Sequence, residues 1–98
     1  GDTALEALHL SINLKQTVDL EYISQLCGKD KDAVITELGE HIYCNPEKNT
    51  GGRYSGWETA EEYLSGHVRS KLALAQEAAK TDPEYERNVI IIGSTGKL

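Results

Sequence analysis

Apolar residues recur along this chain in short bursts of helical spacing, each opened by a capping side chain and closed by a glycine or a polar run. Thr3 with Glu6 three residues later makes a capping box, and Leu5, Leu8 and Ile12 then form a stripe that Ala4 and Leu10 widen. This first helix is expected to end near Asn13, ahead of the polar run Lys15-Gln16-Thr17. Asp19 opens a second helix whose inward face is Tyr22, Ile23 and Leu26, and Gly28 supplies its left-handed stop. Asp30 caps a third, with Val34, Ile35 and Leu38 inward and Gly39 at its end.

The rhythm then changes from helix to strand. His41-Ile42-Tyr43-Cys44 is a strand candidate ended by Asn45-Pro46, Asn49-Thr50-Gly51-Gly52 is a flexible tip, and Arg53-Tyr54 is the candidate returning strand. So short a hairpin survives only by packing against helices. Thr59-Ala60-Glu61-Glu62 is a second capping box, starting a brief helix through Tyr63 and Leu64 that Gly66 breaks. A longer helix follows, with Val68, Leu72, Ala75 and Ala79 on its apolar face. Asp82 caps and Pro83 begins a last helix that carries Tyr85 and Val89 inward. The fold class is therefore mostly α with a small β-hairpin (α+β), on the winged helix-turn-helix plan followed by C-terminal helices. With 98 residues there is chain for one core, so residues 3–89 are expected as a single winged-helix-like domain and 90–98 as a tail open to disorder.

Charge narrows what such a fold does. Sixteen acidic side chains against 10 basic ones leave a formal charge of −6, which argues against a dedicated binder of nucleic acid or anionic membrane. The helix that would enter a DNA groove carries Asp30, Asp32 and Glu37, with Glu40 just after, against Lys31 alone. It lacks the Arg, Lys, Asn or Gln side chains that pair with base edges. The candidate nucleic-acid contacts are Lys48 and Arg53 on the wing and Arg69 and Lys71 on the later helix. No apolar run approaches the roughly 20 residues of a membrane span. Gly1 in place of an initiator methionine reads as a cloning scar on a piece of a longer protein. The two cysteines, Cys27 and Cys44, are too few for a disulfide framework, and the expected compartment is the reducing cytoplasm.

Candidate chemistry is sparse. His41-x-x-Cys44 with Cys27 makes an incomplete zinc set that only His9 or His67 remains to finish, and structural zinc wants four ligands, so no metal or cofactor is expected. Nothing marks either cysteine as an activated nucleophile. Glu61-Glu62 and Glu84 with Glu86 sit at helix starts, where carboxylates favour the dipole rather than catalysis. The tail glycines have only two residues between them and Lys97 is followed by Leu98, so it is no phosphate loop. In a chain without Phe or Met, Trp57 is expected to plug the gap between wing and following helix; the alternative is an exposed protein-contact anchor formed with Tyr54.

The stretch Gly56-Trp57-Glu58-Thr59-Ala60-Glu61-Glu62-Tyr63-Leu64-Ser65-Gly66-His67-Val68-Arg69-Ser70-Lys71-Leu72 resembles a segment of very large bacterial proteins carried by conjugative elements and phages. Those proteins join a superfamily 2 helicase to an adenine-specific DNA methyltransferase. Val18-Asp19-Leu20-Glu21-Tyr22-Ile23, Leu26-Cys27-Gly28-Lys29-Asp30, and Leu38 through Ile42-Tyr43 with Asn45-Pro46 fit the same segment. The resemblance covers a linker-like region between enzymatic modules and none of their catalytic motifs. It implies a non-catalytic accessory or interaction domain, whose partners are other domains of the parent protein and, weakly, DNA. A winged-helix DNA-binding transcriptional regulator is the alternative, and a small enzyme lacks a convergent set of titratable groups.

Overall fold

Side-chain caps set the helix starts where the sequence pattern places them, in a computed structural model that describes residues 3–98. Thr3 Oγ1 accepts from the Glu6 N–H at 3.1 Å and starts helix α1, Ala4–Lys15. The helix runs past Asn13 because Leu14 and Lys15 are good helix formers that extend it rather than stop it. Gln16 closes it in a left-handed conformation, its N–H donating to the Ile12 carbonyl at 3.0 Å. Asp19 accepts from the Tyr22 N–H and starts α2, Leu20–Cys27, which Gly28 ends at φ 70°. Asp30 likewise starts α3, Lys31–Leu38. The fully buried Ser11 hydroxyl donates to the Thr17 carbonyl and accepts from the Asp19 N–H, so the α1–α2 connection is fastened from inside.

A 3-10 turn, Gly39–His41, leads into β1, Ile42–Cys44, which pairs antiparallel with β2, Trp57–Thr59, in the register Ile42 to Thr59, Tyr43 to Glu58 and Cys44 to Trp57. The returning strand is thus β2 and not Arg53-Tyr54, which lie in a turn of the wing loop 45–56. Local chemistry coils that loop. The Asn49 side-chain amide donates to the carbonyls of Gly52 and Ser55, and the chain rejoins the hairpin at Gly56, whose carbonyl accepts from the Asn45 N–H at 2.8 Å. Gly56 has φ 82°, and a Cβ there would lie 2.8 Å from the Asn49 nitrogen, so both conformation and space demand glycine.

Beyond the wing, α4 (Ala60–Tyr63) is capped by Thr59 and α5 (Val68–Ala79) by the His67 imidazole. Asp82 and Pro83 open a 3-10 turn, Pro83–Tyr85, before α6, Glu86–Gly93. The boundary expected at residue 90 falls inside α6. Three β-branched isoleucines favour strand on local preference, but Ile92 is completely buried, and its packing decides the conformation.

Strand β1 divides two apolar clusters. Ile42 and Cys44 face the winged core of Ala4, Leu8, Leu20, Ile23, Val34 and Leu38, whereas Tyr43 faces Tyr63, Val68, Ala75 and Ile92. Period-two alternation along three residues therefore ties the winged half to the C-terminal helices. Tyr43 stacks on Tyr63 with ring centroids 5.9 Å apart. From α6, Asn88 donates to the Cys44 carbonyl at 2.7 Å, and Arg87 donates to the carbonyls of Ile42 and Gly39 while lying over the Tyr43 ring.

Candidate functional site

The surface on which a winged helix touches DNA is formed here by α3 and the wing loop, and carboxylates already occupy its cations. Arg53 donates through Nε to Asp32 Oδ1 on α3 at 2.8 Å, and its NH1 lies 3.8 Å from Glu84. Tyr54 donates its hydroxyl to the same Asp32 oxygen at 3.0 Å, with the Lys31 ammonium 5.0 Å from its ring centroid. The Arg53 bond first, and the Tyr54 bond second, hold the Asp32 carboxyl below the usual carboxylate range; Asp32 in turn pushes the Tyr54 phenol up. Lys31 itself is paired with Glu21 on α2 at 3.0 Å. Lys29, in the α2–α3 turn, is paired with Glu37, which also accepts from the Ala4 N–H at 2.8 Å.

Lys48 tells the same story on the wing. Its ammonium donates to Glu58 Oε2 at 2.6 Å and sits 3.8 Å from Glu62, and the Glu58 bond raises its proton affinity. The Glu58 side chain is only 6% exposed, and the Asn45 amide satisfies its other oxygen at 3.1 Å. Lys48 thus neutralises a carboxylate that β2 has carried indoors.

The later helix places its two candidates differently. Lys71 donates to the carbonyls of Tyr63 and Ser65, both at 2.6 Å, closing the α4–α5 connection. Arg69 is exposed and has no hydrogen bond or ion pair among the described residues. Of the four candidate nucleic-acid residues, the structure leaves Arg69 alone unengaged.

Trp57 is 5% exposed and donates its indole N–H to the Arg53 carbonyl at 2.9 Å. It fills the base of the wing as a buried core residue rather than standing exposed, whereas Tyr54 stays exposed beside α3. The partners that decide these roles, Asp32, Glu58 and Glu84, were visible in the sequence only as negative charge. The sequence signal for Glu58 was its place opposite Tyr43, on the face of the hairpin that the C-terminal helices cover, which the register reveals.

The cysteine and histidine candidates are dispersed. Cys44 is a buried free thiol that donates to the Ser55 carbonyl at 3.3 Å and meets the Tyr85 hydroxyl at 3.5 Å. Burial first, and the Cys44 contact second, push the Tyr85 phenol well up. Cys27 is a half-buried free thiol against the winged core, and His41 is exposed in the 3-10 turn ahead of β1. No group of three or more His, Cys, Asp or Glu among the described residues is placed to hold a metal ion. Nor is any described helix long and apolar enough to cross a membrane.

Comparison with curated proteins found no match, and comparison with solved structures found none either. A protein family does match: residues 1–58, which take in α1 to α3, β1 and the first part of β2, fit the family described as "Probable helicase, winged helix domain". With more than half its length so matched and a helix-turn-helix followed by an antiparallel wing, the chain belongs to the winged helix domain family of probable helicases.

Proposed function

We propose that this winged helix is a non-catalytic accessory domain of a large helicase-bearing protein, positioning neighbouring modules through protein contacts and touching DNA weakly. One observation carries the reading: Lys29, Lys31, Lys48 and Arg53, the cations around the α2–α3 turn and wing, are each closed on a carboxylate of the same chain. A phosphate would have to displace those carboxylates and would meet them as repulsive neighbours. The segment from Gly56 to Leu72 supports a parent in which the helicase is joined to an adenine-specific DNA methyltransferase of a mobile element.

Fluorescence anisotropy of a labelled duplex titrated with the chain at several salt concentrations tests this. With Arg69 as the unengaged cation among the described residues, the logarithmic salt slope is expected near −1, at roughly −0.9 per phosphate neutralised. Affinity should be no tighter than the about 10⁻⁴–10⁻⁶ M of non-specific binding. Nanomolar binding with a steep slope would overturn the proposal, and sequence preference with it would establish a DNA-reading regulator instead.

A further inference from the structure

A groove of about 520 Å³ runs between α1 on one side and the 3-10 turn and α4 on the other. Its lining includes Leu5, Leu8, Ile12 and Ala60, with His9, His41, Glu40 and Glu61 among the polar residues. Leu5 is 36% exposed there, a large aliphatic side chain left at the edge of the winged core. The carboxylates set this groove apart from the α3–wing surface. Neither Glu40 nor Glu61 has an ion pair or a side-chain hydrogen bond among the described residues. No lysine or arginine lines the groove. By contrast, the cleft between α2 and the wing holds Lys31 and Lys48, closed on Glu21, Glu58 and Glu62.

We propose that the groove between α1 and α4 docks a basic amphipathic helix of a partner protein module, seating aliphatic anchors on Leu5, Ile12 and Ala60 and pairing its Lys or Arg side chains with Glu40 and Glu61. Charge complementarity selects the occupant: in a chain where most cations are matched internally, two unmatched carboxylates flank an apolar floor. The walls select its conformation. Helical backbone lines most of the groove and keeps its N–H and C=O groups for itself, so an extended strand finds no ladder to join, while a helix engages through side chains. The volume accommodates anchor side chains rather than a whole helix, which fits an occupant lying across the groove. A second copy of this chain is disfavoured by its own net charge of −6. The inference rests on the protein-contact reading above and specifies its surface.

The test uses a synthetic leucine–lysine amphipathic peptide of about four helical turns, added to the isotope-labelled chain and followed by amide chemical shifts. Shifts centred on residues such as Leu8, His9, His41 and Glu61 are expected. The double variant Glu40→Gln/Glu61→Gln should weaken the peptide about three- to thirtyfold, the sum of two partly exposed pairs. Leu5→Ser should weaken it as well, while Glu47→Gln/Glu86→Gln, which removes the same charge from exposed sites elsewhere, should leave it within twofold of the wild type, or about 0.4 kcal/mol. Equal loss in both double variants would reveal general charge attraction and overturn the proposal, as would shifts centred on another face. Tight duplex binding in the anisotropy experiment sinks the parent reading; failure of the peptide titration beside weak duplex binding sinks the groove alone.

Discussion

Two isoleucines on α6, two residues apart, make a sharp test of the packing that holds the C-terminal helices to the wing. Ile92 is 0% exposed among Tyr43, Tyr63, Val68 and Ala75, and Ile90 is 68% exposed. Each truncation to alanine removes three carbon groups, which at about 0.8 kcal/mol apiece amounts to about 2.4 kcal/mol of transfer free energy where the side chain is buried. A residual cavity adds to this at Ile92, because the stacked tyrosines and the bonds from Asn88 and Arg87 to the winged half keep the site from collapsing. Alanine's better helix propensity returns about 0.5 kcal/mol at either position. Ile92→Ala should therefore cost about 3 kcal/mol, and Ile90→Ala should lie between neutral and slightly stabilising. At about 4–8 °C per kcal/mol for a domain of this size, Tm falls by about 12–24 °C in the first variant and barely moves in the second. Urea and thermal unfolding followed by far-ultraviolet circular dichroism and by Trp57 fluorescence report both values. Should the two variants unfold within about 0.5 kcal/mol of each other, residue 92 is no part of the core, and the earlier expectation of a tail from residue 90 returns.

Lys48→Ala should lower stability and leave duplex affinity unchanged, the reverse of what a phosphate-contacting lysine does; the loss stays below that of a fully buried pair because the lysine itself is 58% exposed. Tyr63 is buried and its hydroxyl has no hydrogen-bond partner among the described residues, so Tyr63→Phe should be neutral or stabilising at pH 7, by up to about 1–2 kcal/mol in urea unfolding. Burial raises the Tyr63 and Tyr85 phenols, which then keep their protons longer folded than unfolded. Their contribution is complete below the ordinary value of about 10 and is lost as pH rises beyond it, a decline that Tyr63→Phe should lessen. Asp32 has the opposite sign: its carboxyl is depressed by Arg53 and Tyr54, so its contribution is complete above about pH 4 and vanishes as pH falls through the lowered value. Acid unfolding of Asp32→Asn should be flatter in that window, and less so in high salt because the pair is exposed.

Local signals written over three or four residues were enough to place most of the elements. Thr3, Asp19, Asp30 and Thr59 each cap the helix they announce, and Gly28 and Gly39 each end one, because capping and left-handed stops depend on the residues themselves and their nearest neighbours. The α+β class and the winged order followed from that punctuation. What the sequence left open depended on contacts distant along the chain. Arg53-Tyr54 has the composition of a strand, yet both side chains reach Asp32 some twenty residues earlier while Asn49 coils the loop beneath them. Ile90 to Ile92 looks like strand or tail until Tyr43 and Tyr63 supply the surface that makes it helix.

The candidate site divides the same way. Net charge and the acidic α3 were legible as a deficit of grip on DNA, a property of composition alone. Which cations are spent, on which carboxylates, and that Arg69 is left over, was decided only by tertiary structure. An ion pair is a distance between two groups, and a one-dimensional pattern holds their signs without their separation.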